Sequence, residues 1–94
     1  MYVTVRKYTG SRDLVDALVE NESEVKRLIT DIDGFRAYYL VRTEDGEAMS
    51  ISVYDSESGG DESSRAAAAW VGENLKDLSV SAPQVTAGEA VISF

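Results

Sequence analysis

Polar and apolar residues alternate along two runs between Gly34 and Tyr54, and the runs are joined by Glu44-Asp45-Gly46. An Asp-Gly between alternating runs predicts a β-hairpin, and a three-residue loop that ends in glycine favours a turn with a bulge there. Such a loop places Thr43 opposite Glu47. A two-residue loop would shift the register by one and mix the two faces. The three-residue loop pairs Val41 with Met49, Tyr39 with Ile51, Ala37 with Val53, Leu40 with Ser50, Tyr38 with Ser52, and Arg36 with Tyr54.

The two faces of this hairpin differ in polarity. The first three pairs form an apolar face, which we expect to belong to the core. The other face combines tyrosine, arginine and serine with Leu40 and Ala48. We therefore expect a polar-lined surface on that side of the hairpin.

The pattern before the hairpin predicts a strand and a helix. Residues 2–8 alternate β-branched and aromatic side chains, which is typical of a strand. Ser11 is a suitable N-cap, and apolar residues then recur at helical spacing as far as Ile32. The polar interval 21–24 predicts that this helix bends or divides into two pieces.

The pattern after the hairpin predicts a second helix and a last strand. Gly59-Gly60 lies in a connection of capping residues and glycines and is interpreted as a flexible helix entry. A helix follows over 62–78, and its run of alanines would let it approach a sheet closely. Pro83 then precedes a strand over 84–94 with a bulge at Gly88.

The resulting order β, α, β, β, α, β predicts one α+β domain over residues 1–94 with a ferredoxin-like fold. Right-handed crossovers place both helices on one face of a four-stranded antiparallel sheet. The other face remains uncovered and carries large side chains. We therefore expect a homodimer in which two sheets pack face to face into an α/β barrel.

Composition narrows the chemistry that the chain can support. Cysteine and histidine are both absent, which excludes disulfides, thiol nucleophiles, Cys/His zinc sites and Ser-His catalysis. The net charge of −8 repels nucleic acid and anionic membranes, so we expect neither as a partner. No basic, apolar leader and no membrane-length run is present, so a cytoplasmic location is expected.

Several short motifs carry a family resemblance over nearly the whole chain. A helix leads into Ile32-Asp33-Gly34-Phe35, the hairpin follows, and Asp55-Ser56 precedes a second helix with Glu62-Ser63-Ser64-Arg65-Ala66-Ala67 and Trp70-Val71. In these features the chain resembles the dimeric α/β-barrel superfamily that includes the antibiotic biosynthesis monooxygenases. The resemblance implies the barrel fold, and the superfamily hosts several activities, so it does not select one.

The resemblance also bears on cofactors. Haem-degrading members use a histidine on the second helix to ligate iron, and this chain has no histidine. Cofactor-free members are thought to let an activated phenolic substrate react directly with oxygen. We therefore expect no cofactor and no metal, and we nominate no catalytic residue.

Five residues are candidate ligand contacts: Trp70, Tyr38, Tyr54, Arg36 and Arg42. Indole and phenol groups can hydrogen-bond a ligand oxygen, and a guanidinium can hold an anion. The alternative is that the tryptophan fills the core and that the tyrosines and arginines form the dimer interface.

Two functions remain open. The chain is either a monooxygenase-like protein that acts on or binds a small apolar or aromatic metabolite, or a non-catalytic ligand-binding or interaction module of the same fold.

Overall fold

The structure is a computed structural model that describes residues 1–10, 12–78 and 80–94. The predicted N-cap, Ser11, lies outside the described residues. The elements in chain order are β1 (Tyr2–Lys7), α1 (Arg12–Glu20), α2 (Glu22–Thr30), β2 (Phe35–Arg42), β3 (Ala48–Tyr54), α3 (Glu57–Asn74) and β4 (Gln84–Glu89).

The four strands form one sheet in the order β2-β3-β1-β4, and every neighbouring pair is antiparallel. With the helices placed between β1 and β2 and between β3 and β4, this is the ferredoxin-like α+β arrangement. The predicted fold is therefore confirmed. Within the described residues, no helix is long and apolar enough to cross a membrane.

The register of the β2-β3 hairpin follows from its three-residue loop. The backbone N–H of Thr43 donates to the Glu47 carbonyl at 2.9 Å, and Gly46 has a φ of 85°. Five of the predicted pairs are confirmed, from Ala37–Val53 to Val41–Met49. The sixth, Arg36 with Tyr54, is wrong because an irregularity between Phe35 and Ala37 places Phe35 opposite Tyr54.

The first predicted helix is divided in two, as the polar interval indicated. The break falls at Asn21, whose side-chain amide donates to the Ala17 carbonyl at 2.8 Å. A side chain that bonds its own backbone in this way competes with helix continuation. α1 and α2 can therefore take separate positions on the sheet.

The helices cover the polar face of the sheet, which corrects the expectation that the apolar face is the core. The covered face, as we call it, contains Thr4, Arg6, Tyr8, Ala48, Ser50, Ser52 and Tyr54, all of which are buried. Its aromatic members pack with helix residues such as Leu14 and Ile29. The opposite, open face carries Val3, Val5, Ala37, Tyr39, Val41, Met49, Ile51 and Val53, which remain partly or largely exposed. The serines on the covered face are small and let the helices approach. This explains why the helices cover the polar face and not the apolar one.

α3 approaches the sheet most closely through its first turns. Gly59 and Gly60 are buried, and a Cβ on Gly59 would lie 2.9 Å from Tyr54 Cδ1. Of the four alanines, Ala66 and Ala67 are partly buried, and Ala66 packs against the core, whereas Ala68 and Ala69 are exposed. The interpretation of the two glycines as a flexible helix entry is therefore wrong, because they are part of the buried contact surface of the helix.

The last strand is shorter and more regular than predicted. β4 ends at Glu89, and Gly88 pairs directly with Val3 without a register shift, so the predicted bulge is absent. Residues 91–94 continue without strand structure, and Phe94 is fully exposed. α3 likewise ends at Asn74, before the predicted end at residue 78.

Candidate functional site

A groove with a volume of about 530 Å³ runs between α1, α2 and β2. It exists because β2 is the edge strand beside which the two short helices lie. Most of its lining is aliphatic or aromatic, which is typical of small-molecule sites. The lining residues are Val15, Leu18, Val19, Glu22, Val25, Lys26, Ile29, Thr30, Phe35, Tyr38, Leu40 and Arg42.

Two of the five candidate contacts line this groove. Tyr38 and Arg42 lie on the same face of β2, four residues apart, so their side chains point to the same side. Burial raises the pKa of the Tyr38 phenol, so it remains a neutral hydrogen-bond donor at pH 7. Arg42 Nη2 donates to Asp16 Oδ1 at 2.8 Å on the exposed rim.

Trp70 lies behind the groove, at a second and much smaller cavity of about 20 Å³, the inner cavity. The indole is 7% exposed, and its N–H donates to Glu24 Oε1 at 3.0 Å. Tyr38 lines both the groove and the inner cavity. Trp70 therefore looks inward towards hairpin side chains, but its N–H is already taken and the space beside it is too small for a metabolite.

The other two candidates lie away from the groove. Tyr54 is fully buried in the core, where its hydroxyl donates to the Ile29 carbonyl at 2.7 Å and its ring meets Phe35 edge to face. Arg36 is exposed and paired with Asp55. The hairpin irregularity that displaces Arg36 explains why it does not share the face of Tyr38.

Sequence reasoning did not nominate Arg6, which is the most unusual polar residue of the interior. It is 2% exposed and projects from β1 beneath α3, where its guanidinium donates to serines and to the Gly60 carbonyl. Desolvation lowers its pKa from the usual arginine value. The sequence feature that could have marked Arg6 is its position on the polar face of β1, between Thr4 and Tyr8.

Among the described residues, no group of three or more acidic, histidine or cysteine side chains is arranged to hold a metal ion. The polar groups that line the groove are one phenol, one guanidinium, one ammonium, one carboxylate and one threonine hydroxyl. The groove can therefore orient a ligand by hydrogen bonds and charge.

Solved structures share this fold over nearly the whole chain. The heme-degrading protein MhuD from Mycobacterium tuberculosis, solved with two hemes in its active site, has a TM-score of 0.72 at 14% identity, covering 100% of this chain and 99% of that one. The monooxygenase from the gene ActVA-Orf6 of Streptomyces coelicolor, solved with nanaomycin D, has a TM-score of 0.71 at 19% identity, with coverages of 99% and 89%. A dimeric ferredoxin-like protein from an uncultured marine organism has a TM-score of 0.67 at 14% identity, with coverages of 99% and 95%.

Candidate antibiotic biosynthesis monooxygenases from Nitrosomonas europaea and Deinococcus radiodurans also align, with TM-scores of 0.72 and 0.66. No protein-family model and no curated protein sequence matches the chain. At these identities the likeness concerns the fold. The chain thus has the ferredoxin-like fold of the antibiotic biosynthesis monooxygenase-like proteins.

Proposed function

We propose that this protein binds a small, flat, apolar metabolite, of aromatic type, in the groove between α1, α2 and β2. The observation that carries the proposal is the groove itself, with its volume of about 530 Å³ and its predominantly apolar lining. Pockets of about 300–1,000 Å³ with a few placed polar groups are the usual form of small-molecule sites. MhuD, solved with two hemes in its active site, and ActVA-Orf6, solved with nanaomycin D, share the fold, which supports a ligand-binding role for it.

Tyr38 and Arg42 are the contacts that would orient the ligand. The neutral Tyr38 hydroxyl can donate to a ligand oxygen, and Arg42 can release Asp16 at the exposed rim to meet a second one. The remaining candidates, Trp70, Tyr54 and Arg36, would act at most indirectly, since none lines the groove. If a reaction takes place, it is of the cofactor-independent monooxygenase type, in which the substrate supplies its own reactivity.

A heme does not fit the donor groups of this chain. Heme iron in proteins is held by histidine, cysteinate, methionine or tyrosinate. The chain has no histidine or cysteine, no methionine lines the groove, and burial keeps Tyr38 protonated. We therefore derive no step through a heme.

The open face supports a homodimer as the working form. Eight apolar or aromatic residues lie on it, and Tyr39 is 58% exposed. Such a continuous apolar face is rare on a soluble monomer, and packing two copies face to face would bury it. The dimeric ferredoxin-like protein of the same fold supports this assembly. Light scattering should give about twice the chain mass of 10.2 kDa, and a stable monomer at micromolar concentration would overturn the dimer.

A matched pair of variants tests the groove as the binding site. Val19 lines the groove and is 56% exposed, whereas Val85 on β4 is 52% exposed and lies outside it. Menadione, a flat two-ring quinone, should bind the wild type and Val85→Arg equally, as measured by isothermal titration calorimetry. Val19→Arg should weaken binding at least tenfold because the guanidinium enters the apolar groove.

Equal binding by both variants would place the site elsewhere. No binding by the wild type, across a panel of aromatic metabolites, would favour the alternative of a non-catalytic interaction module. Oxygen consumption with each bound compound then separates a monooxygenase from a ligand-binding protein.

A further inference from the structure

Arg6 is a buried positive charge whose hydrogen-bond partners in the described part of the chain are all neutral. Its Nε donates to Ser64 Oγ at 3.1 Å and its Nη1 to Ser52 Oγ at 3.1 Å. Its Nη2 donates to Ser63 Oγ at 2.7 Å, to Ser64 Oγ at 2.8 Å and to the Gly60 carbonyl at 3.5 Å. These bonds fix the guanidinium between the sheet and the first turns of α3.

No carboxylate balances this charge among the residues that the structure describes. The ion pairs found there, Arg36–Asp55 and Arg42–Asp16, involve the exposed arginines. The titratable groups that face Arg6 are the phenols of Tyr8, Tyr38 and Tyr54, all of which burial keeps protonated at pH 7. An uncompensated buried charge is costly, and arginine is seldom fully buried without a partner.

The inner cavity lies against this charge. Arg6, Tyr8, Tyr38 and Ser50 supply its polar wall, and α-helical residues including Trp70 supply the rest. Its volume of about 20 Å³ exceeds the roughly 10–15 Å³ that a single water needs. Within the described part of the chain, Nη1 of Arg6 donates to Ser52 alone, so one of its two hydrogens is available.

We propose that the inner cavity is a site for one compact anionic atom, held by Arg6 and by hydroxyl groups of the cavity wall. Its occupant is a single negatively charged acceptor about the size of a water molecule. Two sources supply such an atom: a halide ion from solution, or the ionised oxygen of a ligand in the groove. The second source rests on the proposed function, and Tyr38, which borders both spaces, would have to move aside for it.

The geometry favours a monatomic anion over a larger one. Because the cavity volume is close to the space that one water molecule needs, we expect sulfate, phosphate and gluconate, each with several heavy atoms, to stay outside it. The net charge of −8 opposes anion binding from a distance, so we expect millimolar affinity for a halide. Binding to the folded state alone then raises stability in proportion to the logarithm of halide concentration above the dissociation constant.

Thermal unfolding at constant ionic strength tests the halide source. Sodium chloride is exchanged stepwise for sodium gluconate, so general screening stays constant while the small anion varies. We expect the unfolding midpoint to be higher in chloride by about 3–6 °C when chloride reaches about three times its dissociation constant. Arg6→Met should abolish this difference, whereas Arg36→Met, which removes an equal charge at an exposed ion pair, should retain it.

A second variant keeps the test decisive if Arg6→Met does not fold. Ser50→Thr leaves Arg6 in place and adds a methyl group to the cavity wall, so it too should abolish the chloride effect. A bromide-soaked crystal should show anomalous density beside the Arg6 guanidinium.

The ligand source is tested with lawsone, whose hydroxyl is ionised at neutral pH, and its methyl ether, which is neutral. A preference for lawsone of at least tenfold that is lost in Arg6→Met and kept in Arg36→Met supports the ligand oxygen as the occupant. Equal binding of both compounds, together with identical midpoints in chloride and gluconate, overturns the anion site while leaving the groove proposal intact. If neither compound binds the groove, the chloride experiment alone decides the anion site.

Discussion

Replacing Gly59 by alanine should destabilise the protein, although alanine is the better helix former. A Cβ at this position would lie 2.9 Å from Tyr54 Cδ1, 3.0 Å from Tyr54 Cβ and 3.1 Å from the Asp33 carbonyl oxygen. Neither neighbour can yield easily, because Tyr54 is fully buried and bonded to Ile29, and the carbonyl belongs to the backbone.

The magnitude follows from two opposed contributions. Glycine to alanine within a helix stabilises by about 0.5–1 kcal/mol, whereas forcing a methyl group into a packed contact costs about 1–3 kcal/mol. The net loss therefore lies between about 0 and 2.5 kcal/mol, with a central value of about 1 kcal/mol. Each kcal/mol lowers the unfolding midpoint of a domain of this size by roughly 4–8 °C.

Gly72 supplies a matched control in the same helix. A Cβ there meets nothing within 4 Å, so Gly72→Ala should raise the midpoint through helix propensity alone. Both variants are compared with the wild type by thermal and urea unfolding at one protein concentration, because a dimer's stability depends on concentration. If Gly59→Ala is as stable as Gly72→Ala, then α3 does not approach the sheet through its glycines, and the account of the covered face is wrong.

Three further predictions concern ionisation, charge and the tryptophan. Burial raises the pKa of Tyr8, Tyr38 and Tyr54 above the unfolded value near 10. The stability should therefore be retained below about pH 10 and fall as the pH rises further. A thermal unfolding midpoint that stays constant up to about pH 11 would contradict this. Raising sodium gluconate from about 0.01 to 0.1 M should increase the unfolding temperature, because repulsion within the net charge of −8 is screened as the Debye length falls from about 30 to 10 Å. No change would mean that the acidic side chains are already balanced by nearby positive charges. Trp70→Phe should keep the protein folded but cost about 1–2 kcal/mol in urea unfolding, since it removes the hydrogen bond to Glu24 and some buried area; loss of folding would contradict a supporting role.

The sequence was sufficient for the elements whose cause is local. Alternation and the Glu44-Asp45-Gly46 loop determine the hairpin register, and the polar interval at Asn21 determines the helix break. Element order and right-handed crossovers then leave the ferredoxin-like fold as the simplest arrangement.

The assignment of the two sheet faces could not be made from polarity. The apolar face carries the residues that a partner subunit would bury, whereas the polar face is buried within the chain because Arg6 finds serines on α3, 57 and 58 residues away. Contacts between residues so distant in sequence leave no periodic signal. The contact role of Gly60 could not be predicted for the same reason, since a Cβ there would meet Tyr2 and Thr4 of β1, which are distant in sequence.

The candidate site was predicted only in part. Tyr38 and Arg42 share a strand face by simple alternation, and both line the groove. Arg36 belongs to the same alternating set, but the irregularity beside Phe35 removes it, and no sequence feature marks that irregularity. The groove itself depends on how α1 and α2 are placed after the break at Asn21.

Backbone amide chemical shifts during a titration with menadione test the groove most directly. The largest shift changes should fall on the groove-lining segments of α1, α2 and β2, with Tyr38 and Leu40 among them. Residues of β4, which lies at the opposite edge of the sheet, should change little. Changes concentrated on the open face, around Val5 and Ile51, or no changes at saturating menadione, would contradict the groove as the ligand site.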